Sequence, residues 1–500
     1  MELTGYDLTL EEVAAVALAG EKVSLAPQTL LRMQEAHNLV LKMIEGETLV
    51  YGLNTGVGRN KDRRISQKEL QDFNRQLIYA HCVGIEPELP QEVVRATMLI
   101  HLNGLVKGYA GVQVAIAELL VQFLNLGITP VVNGKGSVGQ GDIGILSYIG
   151  LAMLGEGLSD FQGKRYETAQ LFQRFNLKPV KLYGKDSLGI ISSNAVSFGQ
   201  LSLLLPHLVE LVQWFDLSYG LSLEALDGNT SPLDPDVVAA KHLLGHQKSA
   251  KVIQTALVGS YLYQKDSQTV QDPLSYRNVT MIHGAVYDSI SYVERHLLTE
   301  WVSSTDNPMV DVANQRIIST PHFETISISL ALEMLNASLS HLSRASVQRI
   351  IKLGNPEFTN LPRFLLADEQ QYFGLQALQK TAATLDIEIH QASHMMSNVS
   401  YPLAGDMEDR QTNLPLLIQQ SEQILNKLQE LLAIELLYAT QGITLRFAGA
   451  KPLGKVTKRV YQALEGRYGL IKDHHQVYQN IHQVTDCIRQ TSIQELFEYK

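Results

Sequence analysis

Apolar residues recur at helical spacing along most of the chain. In 111–126 (GVQVAIAELLVQFLNL) and 197–215 (SFGQLSLLLPHLVELVQWF) they fall at intervals of three and four, which puts them on broad helix faces. The same spacing runs through 326–351 and 416–438. Several of these runs exceed the average helix of about 11–12 residues, so the pattern predicts a bundle of long rods. Helices apolar on several sides must bury more than one face, which predicts packing against further helices and further chains. The first hundred residues differ: short helical patterns alternate with turn-rich loops, of which 53–58 (LNTGVG) is the clearest. Strand-like alternation is short and rare. The expected fold is mainly α, with a loop-rich N-terminal part over 1–110 and a long-helix bundle over 111–500. No polar linker or internal repeat divides the chain, and 227–235 (DGNTSPLDP) reads as a loop between helices.

A 500-residue chain that is 45% hydrophobic has ample material for a large core or two fused ones. A formal net charge of -10, with 18% charged residues and no basic cluster beyond 61–64 (KDRR), excludes a nucleic-acid partner. The two cysteines, Cys82 and Cys487, are far apart and lack metal-type spacing, so a reduced, cytoplasmic setting is expected. The N-terminus is acidic where a signal peptide would be basic. The longest apolar stretches noted, 143–154 and 326–335, fall short of a bilayer span, and no membrane segment is expected.

Several segments carry chemistry, and their order matters. They are 51–58 (YGLNTGVG), 74–84 (NRQLIYAHCVG), 95–112 (RATMLIHLNGLVKGYAGV), 136–142 (GSVGQGD), 187–196 (SLGIISSNAV), 271–277 (QDPLSYR), 305–308 (TDNP), 319–324 (STPHFE) and 405–413 (GDMEDRQTN). In this order they resemble the histidine, phenylalanine and tyrosine ammonia-lyase family, whose segments include YGxNTGFG, RxxMLxRxNxLxKGxSGV, QDxYSLR, TDNP and GGNFHG. The resemblance implies a helical homotetramer with active sites assembled from several subunits. It implies an amino-acid-like substrate, with Tyr51 as the base that removes the β-proton and His81 against the substrate side chain. Asn194 would supply an amide to the cofactor ring or substrate, and Arg277 would anchor the carboxylate, a task suited to the planar guanidinium fork. Phe323 keeps the aromatic position of the GGNFHG loop, and Glu408 takes the acidic position of histidine-type members. A free tyrosine has a pKa near 10, so the base role requires nearby positive charge or hydrogen-bond donors.

The departures are as informative as the matches. In the family the loop reads GSVGASGDLAPLAHIAL, and its Ala-Ser-Gly cyclises and loses water to give the electrophilic methylidene-imidazolone. Here Gln140 replaces or displaces the Ser, and it has no β-leaving group. Ser137 is a poor substitute, because β-branched Val138 would have to supply the attacking nitrogen. Leu274 stands where the family has a Tyr, and 319–324 keeps Phe323 and His322 in reversed order without glycines. No cofactor is expected. General-base catalysis worth about 10²–10⁴-fold cannot drive the elimination alone, so a more acidic substrate, another electrophile or other chemistry is required. His81, His322 and Glu324 are ordinary ligand types, yet no metal site is expected. The expected function is therefore that of an ammonia-lyase-superfamily enzyme acting on an aromatic or histidine-like α-amino acid, without the conventional electrophile. A catalytically inactive amino-acid-binding or regulatory homologue is the reading from another class.

Overall fold

The computed structural model describes residues 1–46, 49–264, 269–368, 373–447, 450–471 and 477–498. The fold is mainly helical, with four small sheets of two or three short strands among the described residues. The expected helices are present: Val114–Leu126, Ala195–Leu226, Ile326–Leu353 and Leu414–Phe447. Two compact units result. One comprises residues 1–205, 294–330 and 395–418, and the other 206–293, 331–394 and 419–500. Both are discontinuous in sequence.

In the first unit, local sequence signals set the helix ends. Thr9 opens helix Leu10–Leu18 with a capping box: its side chain takes the Glu12 N–H at 3.2 Å, and the Glu12 carboxylate takes the Thr9 N–H at 3.0 Å. Gly127 closes Val114–Leu126 in the left-handed conformation. Helix Gln91–Leu105 runs through the interior, with every residue from 93 to 103 buried. Its Arg95 donates to the carbonyls of Val16 (2.7 Å), Ala17 (3.2 Å) and Leu124 (3.3 Å). One guanidinium thus satisfies the C-terminal ends of two neighbouring helices, where a cation is favoured. His101, on the same helix, is a packed residue whose pKa burial pushes down to about 4, so it sits neutral in the core.

The Tyr51 loop rests on a cluster of Ala36, Leu39, Val40, Ile44, Leu53 and Val310 with their neighbours. The helix Ile143–Met153 packs against Leu70–His81 and Asp186–Ile191. In the second unit, the buried Arg349–Glu435 pair and a cluster of Asp216, Ser249, His283 and Tyr287 lie among the helices. The stretch Asp186–Leu226 is long and apolar enough to cross a bilayer, though 67% of its apolar window is buried inside the chain. That burial marks it as a core element.

Candidate active site

The glycine-rich loop 136–142 is built to be rigid. Its Ser137 hydroxyl donates to Asp142 Oδ1 at 2.8 Å and accepts the Gly139 N–H at 3.1 Å. Asp142 is fully buried and takes the Ser197 N–H (2.9 Å) and hydroxyl (3.1 Å), which caps the first turn of Ala195–Leu226. Burial raises the Asp142 pKa, and the hydrogen bonds from Ser197 and Ser137 oppose that rise. The Gly139 carbonyl lies 3.1 Å from the Thr325 hydroxyl and 2.9 Å from that of Thr412. Asn413 N–H donates to the Val138 carbonyl at 2.9 Å.

Asn194 ties this loop to the segment before helix Ile326–Leu353. Its Oδ1 accepts the Gly141 N–H at 2.9 Å, and its Nδ2 donates to the Phe323 carbonyl at 3.0 Å. The amide is fully buried and splints two loops together. One residue on either side, the chains at Gln140 and Glu324 form an antiparallel bridge. There the Gln140 Nε2 donates to Glu324 Oε2 at 3.0 Å. Glu324 Oε1 takes the Ile326 N–H at 3.1 Å, and Arg410 Nε lies 3.5 Å from Oε2. Arg410 therefore pairs with Glu324 across the two loops.

The segment that carries Arg410 also reaches the Tyr51 loop. Leu403 and Glu408 pair through their backbones, and the 403–406 turn packs on residues 58–60. The Glu408 side chain is exposed, while its carbonyl takes the Gln411 side chain at 2.8 Å. Tyr51 is half-buried, and its hydroxyl oxygen accepts the Gly58 N–H at 3.0 Å, which fixes its position. His81 ends helix Leu70–His81, with Nδ1 2.7 Å from the Leu77 carbonyl. The turn after it brings Gly84 against Gly136, where an added Cβ would lie 3.1 Å from the Gly84 Cα. The intervening Cys82 has its thiol pKa pushed up to about 11 by burial, so it stays protonated at neutral pH.

Tyr51, His81, Gln140, Asn194, Phe323 and Glu408 thus belong to one connected set of loops in the first unit. Arg277 belongs to the second unit, where its guanidinium donates to Gln271. Among the described residues, no group of three or more His, Cys, Asp or Glu side chains is placed to hold a metal ion. Sequence reasoning missed Asp142, Thr325 and Thr412 as supports. The signal was present for the threonines, since each sits just before the apolar run of a helix.

A mainly helical chain with a braced glycine-rich loop, a tyrosine loop joined to it through residues 403–413 and a TDNP segment matches one known class. The chain belongs to the aromatic amino acid lyase family, whose profile matches residues 8–466. It is 33% identical to a histidine ammonia-lyase of Treponema denticola over 97% of this chain and 96% of that protein. Among solved structures it is similar to the ergothioneine-degrading enzyme ergothionase of Treponema denticola, determined in complex with desmethyl-ergothioneine sulfonic acid. That likeness has a TM-score of 0.96, 34% identity and complete coverage of both chains. The phenylalanine aminomutase of Pantoea agglomerans is similar with a TM-score of 0.90 at 25% identity, over 98% of this chain and 99% of that one.

Proposed function

We propose that this chain is a lyase that expels a quaternary nitrogen from an imidazole-bearing betaine of the ergothioneine type, without a methylidene-imidazolone. The observation that carries the reading is Gln140, which stands between Gly139 and Gly141 where ring formation needs a dehydratable Ser. The surrounding contacts support it. The Gly141 nitrogen that would attack is bonded to Asn194, and the Gly139 carbonyl that would be attacked is held by Thr325 and Thr412. The Ser137 hydroxyl is committed to Asp142. These residues do not fit the family electrophile.

A substrate whose nitrogen leaves unaided resolves the difficulty. Ergothioneine is the trimethyl betaine of 2-thiohistidine: its nitrogen is a fixed cation, has no N–H for a base to remove, and departs as neutral trimethylamine. In this reading Tyr51, the base of the family resemblance, takes the β-proton, the C–N electron pair leaves with trimethylamine, and a Cα=Cβ bond forms between ring and carboxylate. Tyr51 later returns the proton to solvent. His81 and Glu408 face the ring, and Arg277 holds the carboxylate from another copy of the chain, as the family resemblance implies for a site assembled from several subunits. The likeness to ergothionase supports the substrate class, the family resemblance supports a homotetramer, and the cysteine usage supports a cytoplasmic setting.

Purified chain incubated with ergothioneine, and separately with histidine, tyrosine and phenylalanine, tests this. The expected products are trimethylamine and the unsaturated acid from ergothioneine, no ammonia from the others, and an intact mass equal to that of the sequence. A mass lower by two waters, or ammonia from an unmodified amino acid, overturns the reading. Binding of ergothioneine without turnover establishes instead an amino-acid-binding homologue.

A further inference from the structure

Gln140 and Glu324, two of the positions at which the site loops depart from the family pattern, are 184 residues apart in sequence and touch in space. Their backbones pair, and their side chains meet at 3.0 Å. Glu324 is held by the Gln140 amide, the Ile326 N–H and Arg410, three donors from three separate segments. Such a carboxylate has little freedom to turn away from the loop. Gln140 marks the place where relatives carry an electron-poor group that draws on the substrate. Here the same place adjoins an anion. That reversal does nothing for an uncharged nitrogen and favours a fixed cation, because a carboxylate in a partly desolvated site attracts positive charge more strongly than it does in water. Arg410 only partly offsets it: its guanidinium is 60% exposed and 3.5 Å away, a geometry of weak pairing.

Resting on the lyase reading above, we propose that Glu324 selects the quaternary ammonium of the substrate, and that Gln140 is the positioning residue that aims it. The two substitutions then form a single device: losing the electrophile and gaining the anion belong to the same change of substrate.

The probes are ergothioneine and its neutral carbon isostere, in which C(CH3)3 replaces N(CH3)3⁺, used as a competitive inhibitor. Glu324→Gln is expected to raise the KM for ergothioneine about ten- to hundredfold, with a much smaller change in the Ki of the isostere. Gln140→Ala is expected to act in the same direction more weakly, and the double variant to be no worse than Glu324→Gln alone, as for residues acting through one group. Arg410→Ala is expected to have the opposite sign, lowering the KM for ergothioneine severalfold. A role of Glu324 confined to capping helix Ile326–Leu353 would lower the melting temperature and leave the charge preference intact, which overturns the proposal. If Glu324→Gln does not fold, Arg410→Ala decides: an unchanged or raised KM overturns the proposal. A wild-type chain that never turns over ergothioneine instead removes the lyase reading on which it rests.

Discussion

The role of Gly139 follows from its immediate surroundings. Its φ of +86° is favourable only for glycine, and a Cβ there would collide with the Thr412 hydroxyl and stand 2.9 Å from the Leu414 nitrogen. Gly139→Ala is expected to lower stability on the order of 3 kcal/mol, combining left-handed strain with overpacking. Denaturant unfolding measures this, and a variant as stable as the parent would show that the loop is not packed as described. The residues of the candidate site could be picked out of the sequence wherever a short motif kept them together, as in Tyr51 with its glycines or Asn194 after its serines. The Gln140–Glu324 contact was not legible, because neither residue changes a local pattern that specifies the other. Only the backbone bridge brings them together. Asp142 was hidden for a related reason: it sits just before helix Ile143–Met153 but spends its carboxylate on the start of Ala195–Leu226.

Helices were legible to the extent that their buried faces are apolar. The reading of 326–351 agrees with Ile326–Leu353 to within two residues, whereas 197–215 falls eleven residues short of the end of Ala195–Leu226. The missed turns contain Asp216, Ser218, Ser222 and Glu224, all fully buried. A polar residue at a core position breaks the spacing on which the reading depends, although hydrogen bonds satisfy several of these groups inside the fold. Ser222 donates to Glu435, which also receives Ser346 and both arms of Arg349 at 2.6 and 2.9 Å. Arg349 and Glu435 are both wholly buried. Removing one partner leaves the other charge uncompensated, so Arg349→Met is expected to cost about 3–5 kcal/mol, and pairing it with Glu435→Leu to regain most of that loss. Thermal unfolding of the single and double variants checks this. A single variant that melts like the parent would show that the pair adds nothing.

The whole chain presents an apolar surface that its own fold leaves open. Every residue from 401 to 410 is exposed, and Met395, Tyr401 and Met407 are 58%, 64% and 42% exposed. These residues flank or lie within the segment that positions Glu408 and Arg410, so the candidate site's edge also displays large hydrophobic side chains. Large apolar side chains grouped and exposed in this way are expected to meet another chain. The family resemblance sets the expected assembly at four copies. Light scattering on the purified protein is expected to give a mass four times that of the 55.5 kDa chain. Tyr401→Glu and Met395→Glu together would place two charges in that contact and are expected to shift the mass toward smaller species. If the site needs the neighbouring copy to cover this segment, turnover falls with the tetramer and recovers at protein concentrations that restore it. A wild-type monomer with full activity would show that the segment works uncovered.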